Sequence, residues 1–158
     1  KPVNLLVVIH EVMQLMSVRA KRQDVDMAVR TDSMAPWVVG DFVQLSQVVL
    51  NMLRNAVQAQ TPGVPLRIVV NVAPVHDRMR LTIEDDGPGF SSDALARVGQ
   101  AFSTTKPDGM GIGISISRRI VQQHGGTLSV GNRADGRGAR VVLDLPAAQE
   151  VHWPGMGS

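Results

Sequence analysis

The sequence predicts an α+β layered sandwich, and three observations carry that prediction. Apolar residues recur at helical spacing in three well-separated segments. Short alternating apolar and polar runs lie between them, and one long polar, glycine-rich stretch interrupts the second half.

The first helix is expected from Leu5 to Val18, where Leu5, Ile9, Val12, Met13, Leu15 and Met16 form its buried stripe. Val25 to Val29 alternates and reads as a strand. Trp37-Val38-Val39 reads as another short one, ended by Gly40. Asp41 then stands as N-cap of a long helix through about Gln60, burying Leu45, Val48, Val49, Met52, Leu53, Ala56 and Val57. Thr61-Pro62-Gly63 stops it. Two strands follow, Leu66–Ala73 and Arg78–Glu84, joined by Pro74-Val75-His76-Asp77. From Asp85 to Gly113 the chain is irregular apart from a short helix near Asp93–Val98, the behaviour of a functional lid or of a disordered segment. A helix from Ile112 to His124 stops at Gly125-Gly126. Thr127–Val130 and Arg140–Leu145 then close the chain as two strands. Residues 1–147 are read as one domain and 148–158 as a linker or tail. Because the first residue is Lys1 and not Met, the chain reads as a piece of a longer protein.

Composition excludes several classes. The 158 residues are 44% hydrophobic and 19% charged, ordinary for a globular domain. With 3% aromatics and no Tyr, aliphatic side chains and Met must fill the core. Net charge is +2 and the basic residues are scattered, so the dense basic stripe of a nucleic-acid binder is missing. Zero Cys excludes disulfides, thiolate zinc sites and Cys nucleophiles. No apolar run reaches the roughly 18 residues of a membrane span, and no signal-peptide pattern opens the chain. The expected setting is cytoplasmic, with no membrane contact by this domain.

Three segments carry chemistry. Asn51 and Asn55 are four apart, so both amides share one face of an otherwise apolar helix. Buried amides without partners are costly. Side-chain oxygens in that register suit a hard cation such as Mg²⁺, or a phosphate. The alternative is a hydrogen-bonding pair that ties the helix to a neighbouring loop.

Asp85 ends a strand and precedes Asp86-Gly87-Pro88-Gly89. A carboxylate there can accept a hydrogen bond from an exocyclic amine, favouring adenine. Gly87 and Gly89 are expected to leave room for a flat base. The alternative is a plain Asp-Gly turn, with Asp86 solvated.

Gly109-Met110-Gly111-Ile112-Gly113 reads as a glycine turn feeding a helix N-terminus, whose free amides and positive dipole end attract phosphates. Ile114 breaks the dinucleotide-binding fingerprint, and the lysine of a P-loop is missing. In between, Phe102 would anchor a lid, Thr104 and Thr105 would donate hydroxyls, and Lys106 would reach the terminal phosphate. His10-Glu11 has Gln14 where a second zinc-binding His would stand, so zinc is not expected. His124, at a helix C-terminus, is read as a dipole or capping residue.

With these segments assembled, the chain from Leu5 to Pro146 resembles the catalytic and ATP-binding domain of bacterial two-component sensor histidine kinases. These belong to the superfamily shared with gyrase, heat-shock chaperones and MutL. Leu45 to Ala56 matches the asparagine box and Asp85 to Phe90 the first glycine box. Phe102 to Lys106 matches the phenylalanine box of the lid, and Gly109 to Ile116 the second glycine box.

The resemblance implies a mixed, mostly antiparallel five-stranded sheet with about three helices on one face and a mobile ATP lid. It implies ATP and Mg²⁺ as ligands. Asn55 would be the principal metal ligand with Asn51 beside it, Asp85 the adenine reader, and Gly111 and Gly113 close to the phosphates. Asn55 and Lys106 would be the catalytic residues, and Ile112 and Ile114 would complete the binding set. The partners implied are the protein's own dimerisation domain, which carries the phosphoacceptor histidine outside this chain, and a response regulator.

Three positions depart from the usual pattern. Asp86 stands where Asn is common, and Gln58 where Lys or a carboxylate is. Ala139 stands where Thr or Ser is frequent. His10-Glu11 has Leu15 where the phosphoacceptor segment has Pro, so no acceptor is assigned in this chain. Rival readings are a conformational ATPase and an anti-sigma-factor-type serine kinase. The ATPase places a water-activating Glu at position 51, where this chain has an amide that cannot act as a general base.

Overall fold

The computed structural model describes residues 1–32, 36–99 and 110–148, without the side chains of 97–99 and 110–112. Seven strands and four helices follow one another in these segments: β1 (Pro2–Asn4), α1 (Leu5–Arg22), β2 (Val25–Thr31), β3 (Trp37–Val39), α2 (Phe42–Gln58), β4 (Leu66–Val75), β5 (Arg78–Asp85), α3 (Ser92–Gly99), α4 (Met110–Gln123), β6 (Thr127–Asn132) and β7 (Ala139–Pro146).

The main sheet has five strands in the order β2-β4-β5-β7-β6. The β2–β4 pair is parallel, because the chain crosses over through α2 between them, and the other three pairs are antiparallel. The expected mixed sheet with helices on one face is what the chain adopts.

One core joins the layers. Val8, Ile9 and Val12 of α1 and Leu45, Val48 and Leu53 of α2 pack with Ile68, Val70, Leu81, Leu143 and Leu145 of the sheet. Alternation in β4 places Leu66, Ile68, Val70 and Val72 inward, as period-two spacing requires.

The N-terminal part differs from the sequence reading in two details. α1 runs on to Arg22, and Leu15 is 74% exposed. The buried stripe is Leu5, Val8, Ile9, Val12, Met16 and Ala20, a cleaner i, i+3/i+4 series that excludes Leu15. The second is β1, which has too few residues for a periodic signal. It pairs with β3 as a separate two-stranded sheet, to which Ala148 adds a backbone bond to the Trp37 carbonyl.

Helix caps set the site's scaffold. Asn4 caps α1 through a bond from the Leu6 amide, and Asp41 caps α2 by accepting from the Gln44 amide at 3.0 Å. α4 ends at Gln123, one residue before the expected His124, and it begins at Met110, two residues before the expected start.

Candidate nucleotide-binding site

Asp85 is the last residue of β5 and is only 7% exposed. Its Oδ1 accepts from the Gly87 amide at 2.9 Å and from the Ala139 amide at 3.3 Å. Burial pushes the carboxyl above its ordinary pKa and is the largest influence. The Gly87 and Ala139 bonds pull it down, the Asp86 charge raises it, and Arg133 lowers it. Neither bond uses Oδ2, which is the atom left to meet a ligand donor.

Asp85 lies on the wall of a cavity with about 490 Å³ of empty space, part of it open to solvent. Met52, Ala56, Ile83, Ile114 and Val141 make the walls apolar, while Asn55 and Asp85 supply convergent polar groups. Such a cavity suits a heteroaromatic ring that carries a donor. Ala56, expected in the buried stripe of α2, is half-buried: it packs against the core and also lines this cavity.

Asn55 also borders the cavity, and its Nδ2 is buried without a partner among the described residues. A buried polar atom left this way is costly, and a ligand can complete it. With no acceptor holding it, the amide can turn either its oxygen or its nitrogen toward a ligand, so the side chain fits a cation or a phosphate. Gly113 lies alongside: a Cβ there would stand 3.8 Å from Asn55 Nδ2.

Asn51 is differently placed. Its Nδ2 donates to the Ser117 hydroxyl at 3.4 Å, and Ser117 is fully buried. This is a structural tie of the kind given as the alternative, but its partner is α4 and not a loop. It engages the amide nitrogen and leaves Oδ1 out of the bond.

The second glycine segment is not a turn before the helix. Gly111, Ile112 and Gly113 belong to the first turn of α4, and Ile114 is buried at 2% exposure against the cavity. The chemistry survives the shift, because amides in a first helical turn have no intrahelical acceptor.

Gly87 and Gly89 are glycines for a packing reason that the sequence does not show. A Cβ at Gly87 would meet Asp85 Oδ1 and Leu66 Cδ1, both at 3.1 Å. At Gly89, where φ is +76°, it would meet Asn132 Oδ1 at 2.8 Å. Protein atoms therefore occupy the side on which a Cβ would stand at each, while Gly89 also borders the cavity. Asp86 is not merely solvated either: its Oδ1 accepts from the Arg67 amide at 2.8 Å and holds the loop to the start of β4.

Phe102, Thr104, Thr105, Lys106 and Gly109 lie outside the described residues. Sequence reasoning missed Ser117, the Ala139 amide and Asn132. Ser117 had a usable signal, standing four residues after Gly113 and so on the same face of α4. The other two are contacts between loops distant in sequence, which spacing does not reveal.

Residues 40–149 match the family model described as histidine kinase-, DNA gyrase B-, and HSP90-like ATPase. The chain belongs to this ATPase family. Within it, the relatives are sensor histidine kinases. Sensor protein FixL of Bradyrhizobium diazoefficiens is 39% identical over 132 residues, covering 83% of this chain and 26% of FixL. The chain thus spans about a quarter of that relative's length.

Among solved structures, the catalytic domain of histidine kinase ThkA superposes with a TM-score of 0.80 at 26% identity, covering 92% of this chain and 94% of that one. Full-length ShkA in complex with AMPPNP gives 0.79 at 30% identity, covering 96% and 32%. ThkA in complex with its response regulator TrrA gives 0.77 at 25% identity, covering 94% and 42%. This histidine-kinase-type ATPase domain has no cluster of three His, Asp or Glu able to hold a metal among its described residues. None of its described helices is long and apolar enough to cross a membrane.

Proposed function

We propose that this domain binds ATP with Mg²⁺ and donates the γ-phosphate to a histidine on a separate dimerisation domain, which then supplies a response regulator. The observation that carries the reading is the cavity where Asp85 and Asn55, from two boxes 30 residues apart, converge between apolar walls beside the first turn of α4. ShkA with AMPPNP and ThkA with TrrA support the nucleotide and the regulator by analogy.

In this reading Asp85 Oδ2 accepts from the adenine amine. The Gly111 and Gly113 amides, with Ile112 and Ile114 around them, border the phosphates. Asn55 is the principal Mg²⁺ ligand, and Asn51 contributes Oδ1. Bound there, the ion would draw charge from the phosphate oxygens. Phe102, Thr104, Thr105, Lys106 and Gly109 close the site, with Lys106 on the terminal phosphate. Residues 1–147 form the working unit, on the cytoplasmic side of the signalling system. Asn at position 51 supports transfer over hydrolysis, since an amide cannot activate water as a general base.

Calorimetric titration with AMPPNP and Mg²⁺ tests the pocket. Asp85→Asn and Asn55→Ala should each weaken binding at least about tenfold, as loss of a charged hydrogen bond or a metal ligand does. Unchanged affinity in both variants would remove the proposed site.

A further inference from the structure

We infer that Asn132 is a positioning residue that holds the base-reading loop in its binding shape, an inference that rests on the adenine site proposed above. Asn132 is the last residue of β6, and its side chain is bonded twice to the backbone of Phe90. Oδ1 accepts from the Phe90 amide at 2.7 Å, and Nδ2 donates to the Phe90 carbonyl at 2.9 Å. One side chain thereby imitates a strand-to-strand pair across 42 positions of sequence. Gly89 and Phe90 both line the cavity, so the clamp sets the position of one of its walls.

The other end of the same loop is fixed from the same turn. Ala139, the register partner of Asn132 on β7, donates to Asp85 Oδ1. Gly138, at φ +102°, packs so closely on the Asp85 carbonyl that a Cβ would overlap it. The turn that carries these contacts is itself braced. Arg133 bonds the Gly138 carbonyl through its backbone and Asp135 through its guanidinium, and the Gly136 amide bonds the Arg133 carbonyl.

Asp85 and Phe90 are therefore the two pinned ends of one loop, and Asn132 is the side-chain pin at the Phe90 end. Removing it leaves the loop fixed at the carboxylate but free at the wall, so the base site is lost part of the time. The fold does not depend on it, because Asn132 is exposed and makes no part of the core.

The test titrates wild type, Asn132→Ala and Asn132→Asp with AMPPNP plus Mg²⁺ and separately with ADP. Melting temperatures without nucleotide and Phe90 amide exchange are recorded in parallel. Two ordinary hydrogen bonds are lost in Asn132→Ala, so its dissociation constants should rise about three- to tenfold. They should rise by the same factor for AMPPNP and ADP, because the base and not the terminal phosphate is affected. Phe90 amide exchange should quicken while the melting temperature stays close to wild type. Asn132→Asp keeps the shape and the acceptor but opposes the Phe90 carbonyl, and should also weaken both nucleotides.

A folded variant of either kind that binds within twofold of wild type overturns the proposal. So does an affinity loss matched by a general fall in melting temperature, which marks a structural role. If wild type itself fails to bind AMPPNP, the adenine site and the clamp fall together. If wild type binds and the variants match it, only the clamp falls.

Discussion

Asp85 concentrates most of the chemistry in one carboxyl. Its raised pKa comes mainly from burial, which the Gly87 and Ala139 amides only partly offset. Between the ordinary carboxylate pKa and the raised one, the folded domain holds a proton that the unfolded chain has released. Stability of the nucleotide-free domain therefore falls as pH rises through that window. Nucleotide affinity should move the other way, rising with pH over the same window, because the ionised carboxylate is the better acceptor for an amine. Melting curves and AMPPNP titrations between about pH 4 and pH 7 check both slopes, and Asp85→Asn should flatten them. Parallel slopes for stability and affinity would be inconsistent with this assignment. The carboxylate was legible as a strand-end residue before a glycine turn. Its supporting amide from Ala139 was not, because 54 residues of chain separate the two.

At the scale of elements, α2 matters most, since it carries both asparagines and is fixed at its N-terminus. Asp41 caps it through the Gln44 amide, and the Asp41 backbone amide donates to Nε2 of His124 at 3.1 Å. That bond makes Nε2 the acceptor, so Nδ1 carries the proton and donates to the Ile120 carbonyl at 2.8 Å. His124 thus joins the end of α4 to the start of α2, more than the helix-end role its position implies. Gly40 makes this possible, because a Cβ there would overlap the imidazole ring. Asp41→Ala should lower stability by about 1 kcal/mol. Urea unfolding would show this as an earlier midpoint at unchanged slope; an unmoved midpoint would show that the cap contributes nothing. Helix boundaries were read well where a polar cap precedes an apolar stripe, as at Asp41. They were read less well at Met110, where glycines resemble a turn yet start the helix.

The whole molecule brings together residues that the chain keeps far apart. β5 sits at the centre of the sheet between β4 and β7, so Asp85 at its end lies between Ile68 of β4 and Ala139, at the start of β7. α2 and α4 lie side by side across Asn51 and Ser117, which sets Gly113 against Asn55. No phosphoacceptor is assigned within these 158 residues. The domain incubated alone with labelled ATP should accumulate no acid-labile phosphate, and adding a dimerisation domain with a phosphoacceptor histidine should produce it. Acid-labile label on the isolated domain would contradict the division of labour proposed here.

Taken by itself, the sequence determined the order of the elements other than β1, the layered α+β class and the family, and it singled out Asn55, Asp85 and Gly113, which the fold gathers around one cavity. These follow from local periodicity, from caps and from short motifs whose members are neighbours in the chain. Only the tertiary structure decided that Asn51 is partly spent on Ser117, that protein atoms stand beside Gly87 and Gly89, and that Asn132 grips Phe90. These contacts are brought together by sheet register, loop packing and helix packing. Such contacts leave no period or spacing in a single sequence, because the distance that matters is across the fold and not along the chain.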